Sequence, residues 1–184
     1  MGDMHMRASQ AQGTQVIDDS TQQALGIIDD PLIDPDTGRI VGFFVLPVMM
    51  GEGELLLQTS DILSWGTRVH VLSQDRLGPP EDFVRLKKRL EDPRAFLGQT
   101  IRTQEAKKSL GMLDDVQFNT RNFAVEWLFP RKLFFIRQPI PVTEVLEVTE
   151  EAIWVRDPIR PVKEPLLKKL EEPLLSEVIA PAQS

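Results

Sequence analysis

The sequence contains no cysteine and only two histidines among its 184 residues. Disulfide bonds, thiolate nucleophiles and cysteine-ligated zinc or iron–sulfur centres are therefore excluded. The longest apolar runs, around 40–50 and 133–136, have the length of a strand and fall well short of the ~18–20 residues that cross a bilayer. The first residues also lack the apolar stretch of a secretory signal. We therefore expect a cytoplasmic protein with no membrane span.

The charge balance is acidic, with a formal net charge of -7, and 41% of the residues are hydrophobic. That hydrophobic content predicts a folded chain with a core. An acidic chain is poorly suited to hold a phosphate backbone over a wide surface. A local basic patch leaves RNA binding open as an alternative.

An internal repeat organises the chain. Residues 13–30 read GTQVIDDSTQQALGIIDD and residues 98–115 read GQTIRTQEAKKSLGMLDD, an offset of 98 − 13 = 85 with no gap. Two unrelated stretches of this length share about one identity. Five positions are identical: Gly13/Gly98, Leu25/Leu110, Gly26/Gly111, Asp29/Asp114 and Asp30/Asp115.

The repeat extends beyond this window. Residues 39–47 align with residues 122–130 at an offset of 83, which predicts a two-residue deletion in the intervening turn. Residues 60–63 align with residues 143–146 at an offset of 83, and residues 69–71 align with residues 153–155 at an offset of 84. Order and spacing are kept over some seventy residues, which indicates a duplication.

Each copy is predicted to contain short strands separated by turns. In the first copy, residues 24–30, 40–46, 54–58 and 68–72 have strand composition. The sequence Asp34-Pro35-Asp36-Thr37-Gly38 predicts a hairpin turn, residues 51–53 a further turn, and residues 61–65 a helical or irregular turn. Several closely spaced strands favour a small closed barrel, because closure removes exposed edges.

The segment between the copies predicts a helix. After Pro79, residues Phe83, Leu86 and Leu90 lie on one helical face. We therefore expect four segments: a first domain over 8–76, a linker helix over 77–93, a second domain over 94–158 and a tail over 159–184. In the tail, Glu-Pro-Leu-Leu occurs twice, which predicts a short helical or irregular segment whose leucines dock on the protein itself or on a partner.

The repeated pattern resembles the PRC-barrel family, named after the cytoplasmic domain of the photosynthetic reaction centre H subunit. In the first copy the resemblance is carried by Gly13, Val16, Ile17, Leu25, Gly26, Ile28, Asp29, Asp36, Thr37, Gly38, Ile40 and Val41, with Asp61 and Ile62 further on. In the second copy it is carried by Gly98, Ile101, Leu110, Gly111, Leu113 and Asp114. The second copy departs from the family at its turn, where Asn119-Thr120-Arg121-Asn122 replaces the Asp/Gly sequence.

The resemblance implies an all-β fold of two tandem PRC-barrel-like β-barrels. Family members serve mostly as interaction or assembly platforms and share no catalytic residue, so it implies a non-catalytic binding protein without a cofactor. One relative is the C-terminal domain of the RimM ribosome-maturation family, which pairs a single PRC barrel with a different N-terminal barrel. The H-subunit role is disfavoured here, because its transmembrane helix is missing.

Catalytic and metal-binding readings find weaker support. His70 lies between Val69 and Val71 on a predicted strand and has no sequence context for a triad, and His5 lies in a start expected to be disordered. The cluster Asp29, Asp30, Asp34 and Asp36 offers oxygen ligands, but its spacing is not that of a calcium loop, and aspartates are common in turns. We therefore predict no catalytic residue and no metal site, with an acidic hydrolase as the weakest alternative.

The segment 127–141, WLFPRKLFFIRQPIP, predicts a partner interface. Phe134 and Phe135 are adjacent, so on a strand one of them faces outwards, and Arg131, Lys132 and Arg137 flank them. An exposed aromatic rimmed by arginine suits a protein interface or a stacked RNA base, whereas the competing reading packs it within the molecule. We predict an adaptor for an unknown protein partner, with homo-oligomer formation and an RNA-associated role in ribosome assembly as further expectations.

Overall fold

The structure is a computed structural model and describes residues 5–48, 53–133 and 135–157. The predicted all-β class is confirmed, because the described residues form two β-sheets and only short helical segments. None of the helices in these residues is long and apolar enough to cross a membrane. The predicted tail over 159–184 and part of the predicted turn over 51–53 lie outside the described residues.

The first sheet is built from copy one, which we define as residues 13–71, and from the segment that follows it. Its strands stand in the order β6-β7-β2-β3-β4-β5-β8. Their bounds are β2 (Gln15–Asp18), β3 (Ala24–Asp34), β4 (Arg39–Pro47), β5 (Leu55–Gln58), β6 (Ile62–Trp65), β7 (Val69–Val71) and β8 (Leu77–Gly78). Along β4, Phe43 and Val45 are buried while Leu46 is exposed, as the two-residue period of a strand requires.

The second sheet is built from copy two, which we define as residues 98–155, and from the first residues of the chain. Its main path is β12-β11-β10-β9-β15-β14, with β1 on β10 and β13 on β11. The bounds are β1 (His5–Arg7), β9 (Thr100–Thr103), β10 (Ser109–Asn119), β11 (Val125–Lys132), β12 (Phe135–Ile136), β13 (Ile140–Pro141), β14 (Val145–Val148) and β15 (Ile153–Val155).

The two copies pair their strands in the same way. In each copy one strand pair is parallel, with Val16 opposite Val69 in copy one and Ile101 opposite Ile153 in copy two. The amide N–H of Gly13 donates to Ile28 O at 2.8 Å, and that of Gly98 donates to Leu113 O at 2.7 Å. The sequence repeat is therefore a repeat of backbone geometry.

The predicted deletion in the hairpin turn is wrong. Leu32 pairs with Gly42, and Gln117 pairs with Trp127, so the offset is still 85 on both strands of the hairpin. The offset of 83 begins beyond the hairpin, since Leu57 pairs with Phe43 as Ile140 pairs with Leu128. A shift of two residues leaves every side chain on its own face of a strand, so the sequence pattern alone did not distinguish the two alignments.

The identity of Gly26 and Gly111 has a steric cause. A Cβ atom on Gly26 would lie 2.4 Å from the carbonyl oxygen of Leu46, and one on Gly111 would lie 2.4 Å from that of Arg131. Gly111 also has a φ of +122°, which disfavours any side chain. Neighbouring strands thus approach each other closely at the same place in both copies.

Three local expectations differ from the structure. Residues 62–65 form strand β6 after a 3-10 turn at Thr59–Asp61, because Ile62 and Trp65 pack on the core while β6 pairs with β7. His5 is ordered in β1, since its strand pairs with β10. The hydrogen-bonded path of each sheet, as far as the described residues show it, runs from one edge strand to another without closing into a ring.

The linker is less helical than its apolar spacing predicts. It contains a 3-10 turn at Pro80–Asp82 and one helical turn, α2 (Lys87–Leu90). Leu86 is buried, whereas Phe83 and Leu90 are only partly buried. A second single-turn helix, α1 (Ala8–Ala11), precedes copy one, and further 3-10 turns lie at Gln74–Arg76 and Val142–Glu144.

The two copies share one hydrophobic core, and four aromatic rings pack together where the copies meet. Phe43 and Trp65 come from copy one, and Phe118 and Phe123 come from copy two. Their ring centroids lie 4.9–6.5 Å apart, the range of favourable aromatic pairs. We call these four residues the aromatic centre.

Backbone hydrogen bonds join the copies beside the aromatic centre. The N–H of Ile40 donates to Phe123 O at 2.8 Å, and the N–H of Val125 donates to Gly38 O at 2.9 Å. Ile40 and Val125 are 85 residues apart, as are Gly38 and Phe123, so each copy makes the same bond to the other. The contact is therefore symmetric, like the isologous interface of a homodimer.

Each copy is also held by the segment that precedes the other copy. Strand β1, which precedes copy one, pairs with β10 of copy two. The linker, which precedes copy two, places Arg89 Nη2 at 3.2 Å from Asp34 Oδ1 of copy one. The connections thus cross between the two copies.

A network of two arginines and three aspartates holds the linker to the hairpin turn of copy one. Arg94 Nη1 lies 2.6 Å from Asp36 Oδ1, and Arg94 Nη2 lies 2.7 Å from Asp92 Oδ2. Arg89 Nη1 donates to Asp36 Oδ2 at 2.9 Å. These hydrogen bonds, led by those from Arg94, lower the pKa of Asp36 and of Asp92 to about 2. We call the set Asp34, Asp36, Arg89, Asp92 and Arg94 the linker network.

Replacing Gly111 by alanine is expected to lower the free energy of unfolding by about 1–3 kcal/mol, because the new methyl group meets the Arg131 carbonyl. Gly26→Ala should act in the same direction. Urea unfolding followed by tryptophan fluorescence measures the loss. The control is Gly66→Ala, whose methyl group meets open space, with an expected change within about 0.5 kcal/mol. If all three variants unfold at the same urea concentration as the wild type, the steric role assigned to Gly26 and Gly111 is wrong.

The linker network predicts a loss of stability in acid. The folded-state pKa values of Asp36 and Asp92 lie below the unfolded value, so their stabilisation is complete above about pH 4 and disappears as the pH falls towards 2. Arg94→Gln should flatten the fall in unfolding free energy over that interval. Arg85→Gln, an exposed arginine outside the network, should leave it unchanged. A pH profile of Arg94→Gln that parallels the wild type would contradict the assignment.

Candidate functional site

The predicted interface lies on a hairpin at the far end of copy two. Lys132 pairs with Phe135 across its tip, and Leu133 turns the chain with a φ of +56°. Leu133 is 81% exposed and Phe135 is 70% exposed. The competing expectation, that the outward aromatic packs within the molecule, is therefore wrong for Phe135. Phe134 lies outside the described residues.

The basic residues of this hairpin divide between its two faces. Arg131 faces the side of Met112 and forms an ion pair with Asp114, with 2.7 Å between Arg131 Nη2 and Asp114 Oδ2. Lys132 faces the opposite side, because successive side chains of a strand alternate. Arg137 lies on the side of Lys132, and its N–H donates to Pro130 O at 2.8 Å. The predicted interface residues therefore lie on both faces of the sheet, at the same end.

Lys132 and Arg137 line a groove of about 590 Å³. Its apolar walls come from the ends of β10, β11, β13 and β15, and they consist of Leu110, Pro130, Pro139, Ile140, Pro141 and Val155. Its polar lining consists of Lys108, Ser109, Lys132, Arg137, Gln138, Glu144, Arg156 and Asp157. An apolar cleft with a few charged groups at its rim is the usual form of a binding site.

The rim of the groove is basic although the chain as a whole is acidic. Glu144 is paired with Arg156, with 3.6 Å between Glu144 Oε2 and Arg156 Nη1. Asp157 accepts hydrogen bonds from the backbone N–H groups of residues 105 and 106. Within the described part of the chain, Lys108, Lys132 and Arg137 form no ion pair. Three cations thus surround the groove without an anionic partner from these residues.

Copy one explains why the groove is open. There the strand β8 pairs with the outer edge of β5, and its Leu77 packs on the core. In copy two the corresponding strand β13 follows Pro139 and ends at Pro141, which stand where copy one has Leu56 and Gln58. Proline has no N–H to donate to another strand. Among the described residues, no strand covers the outer edge of β13.

The acidic cluster of copy one is divided between separate partners. Asp34 and Asp36 belong to the linker network, and Asp29 accepts a hydrogen bond from Gln12 Nε2 at 2.7 Å. The equivalent acids of copy two have other partners, since Asp115 accepts from Ser9 Oγ at 2.6 Å. In the described residues no group of three acidic or histidine side chains is arranged to hold a metal ion.

Both histidines pair with an acid on the surface. His70 Nδ1 lies 3.2 Å from Asp19 Oδ1, and its side chain faces away from the buried Val69 and Val71, as the strand pattern predicts. His5 Nδ1 lies 2.7 Å from Glu126 Oε2. Among the described residues no serine or threonine hydroxyl is hydrogen-bonded to His70, so the geometry brings no nucleophile to it.

Sequence reasoning singled out the segment 127–141 but not the groove beside it. Lys108, Ile140, Val155 and Arg156 come from segments far apart in the sequence, and only strand pairing brings them together. The one local signal was Pro139-Ile140-Pro141, which marks a strand edge that accepts no further strand.

Comparison with models of protein families gave no match for this chain. A search of curated proteins gave no match either. The resemblance to PRC barrels therefore stays a prediction, carried by the residues quoted for it.

Proposed function

We propose that this chain is a non-catalytic cytoplasmic adaptor, and that the basic groove of copy two with Phe135 binds an acidic, partly apolar protein segment. The observation that carries the proposal is the combination of an exposed aromatic side chain, an apolar cleft and three cations that form no ion pair with any other described residue, all at one end of the sheet. Interfaces concentrate aromatic and arginine side chains in this way.

The energetics favour a protein segment with apolar side chains. Full burial of a phenylalanine side chain contributes about 1.5–3 kcal/mol, and most of the Phe135 side chain is available for burial. Lys108, Lys132 and Arg137 add attraction for carboxylates at the rim. A partner with acidic residues around leucine or phenylalanine satisfies both features, whereas a purely charged partner leaves the apolar walls of the groove exposed to solvent.

We further propose that both copies are PRC-barrel-like domains, with residues 77–93 as the linker between them. Support comes from the backbone roles of the residues that carry the resemblance. Gly13 and Gly98 both have a positive φ, at +83° and +79°, and Gly38 closes the hairpin turn at +63°. In copy two Phe123 stands at the position equivalent to Gly38 and has a φ of +56°. The turn whose sequence differs from the family pattern therefore keeps the positive φ of the copy-one turn.

A ribosome-assembly or RNA-associated role is the second candidate. The basic rim around an exposed phenylalanine favours it, since RNA-binding surfaces combine cations with aromatic rings on which unpaired bases stack. The net charge of -7 disfavours RNA binding over a wide surface, so such binding requires a local basic patch. A strong salt dependence distinguishes this mode from an apolar protein contact.

Capture of partners from native lysate tests the proposal, with tagged wild type compared at low and high salt and with and without ribonuclease. We expect protein partners that resist both treatments and are lost with Phe135→Ser. A carbodiimide, which joins lysine to a carboxylate in contact, should link Lys132 or Lys108 to an acidic segment of the partner. Val84→Ser removes another exposed apolar side chain far from the groove and should leave capture unchanged.

Other outcomes separate the candidates. Recovery of RNA or ribosomal proteins that disappears with ribonuclease or high salt supports the RNA-associated role. Partners that bind Phe135→Ser and Val84→Ser as well as the wild type contradict the groove as the binding site, provided that both variants unfold at the wild-type urea concentration.

A further inference from the structure

At several equivalent positions the two copies differ in charge. At five positions around the hairpin end, copy two has a cation where copy one has a neutral or acidic residue. The pairs are Gln23/Lys108, Leu46/Arg131, Pro47/Lys132, Glu54/Arg137 and Leu72/Arg156. The backbone geometry is the same in both copies, so the difference lies in the side chains that this end presents.

The far end of copy one is acidic and apolar. Ile27, Leu46 and Val48 are exposed there, with Leu46 at 43% and Val48 at 60%. Glu54 lies at the same end, because it directly precedes Leu55, which pairs with Val45. Asp30 lies close enough to Glu54 to act on its pKa. We call these five residues the acidic end, and Arg131, Lys132, Leu133, Phe135 and Arg137 the basic end.

The carboxylates of the acidic end have no cation nearby in the described residues. Burial raises the pKa of Asp30, with repulsion from Asp29 as the second cause. Burial likewise raises the pKa of Glu54, with repulsion from Asp29 and Asp30 added. The aspartates of the linker network show the opposite shift, because arginines contact them. A cation supplied by another molecule would therefore relieve an unfavourable charge at the acidic end.

The two ends cannot meet within one molecule. Strand β4 begins at the contact between the copies, where Arg39 forms an antiparallel bridge with Ala124. From there β4 and β11 run in opposite directions, and about eight residues at ~3.3 Å each carry Pro47 and Lys132 roughly 26 Å from the bridge on opposite sides. The acidic end and the basic end thus point away from each other.

We propose that the occupant of the basic end is the acidic end of a second copy of this chain, so that the molecules associate head to tail. The proposal rests on the function proposed above, because it names the partner of the same groove. Ile27, Leu46 and Val48 supply an apolar surface for the exposed Phe135. Asp30 and Glu54 supply carboxylates for Lys132 and Arg137, which form no ion pair within the described part of the chain. Because the joined surfaces differ, the assembly continues into a ring or a filament.

Charge exchange tests the head-to-tail contact. Wild-type mass, measured by analytical ultracentrifugation, should rise with protein concentration and fall with added salt. Glu54→Arg and Arg137→Glu should each weaken association about tenfold or more, since each places like charges across the contact. The double variant, with both changes in one chain, should associate again because opposite charges are restored. Glu81→Arg, at an exposed acid in the linker, should associate like the wild type.

Crosslinking identifies the contact directly. With equal amounts of isotope-labelled and unlabelled chain, a carbodiimide should join Lys132 of one copy to Glu54 or Asp30 of another. Wild type that remains monomeric up to its solubility limit overturns the proposal. A folded double variant that stays monomeric, or a folded Arg137→Glu that associates like the wild type, overturns it equally.

The failure of this proposal is distinguishable from the failure of the proposed function. A monomeric wild type that still captures another protein through Phe135 leaves the adaptor function standing and removes self-association alone. A monomeric wild type that captures nothing overturns both.

Discussion

The contact between the two copies is the constraint on which the rest of the molecule depends. Phe118 and Phe123 of copy two pack against the buried Phe43 and the partly buried Trp65 of copy one. Each copy alone is an open sheet of short strands, which is marginal in water when one face lacks a cover. The aromatic centre and the symmetric backbone bonds provide that cover. They also fix both hairpins, so that the far ends point in opposite directions.

The two copies keep the residues that their shared geometry requires and differ at other positions. Positions that serve the shared geometry stay the same, as with Gly26 and Gly111, where a methyl group has no room. Positions at the far ends serve no such contact and diverged in charge, as with Glu54 and Arg137. The molecule thereby carries an acidic end and a basic end on two equivalent hairpins, which a symmetric homodimer of identical chains does not provide.

The sequence predicted the all-β class, the repeat and an outward-facing aromatic in the segment 127–141, because these follow from local patterns of apolar and turn residues. It misplaced the two-residue deletion, since a shift by two keeps the faces of a strand unchanged. It also missed β6 and the pairing of β1, which depend on contacts with residues far along the chain. The groove itself was beyond local reasoning, because Lys108, Ile140 and Val155 meet only in the folded sheet.

The crossing of the connections has a consequence for the order of events as the chain is made. His5 pairs with Asn119, so β1 cannot pair with β10 until more than a hundred further residues have been synthesised. Until then Phe43 and Trp65 also lack the rings that cover them. The first half therefore leaves the ribosome with an uncovered apolar face, and the molecule matures only when the second half is complete.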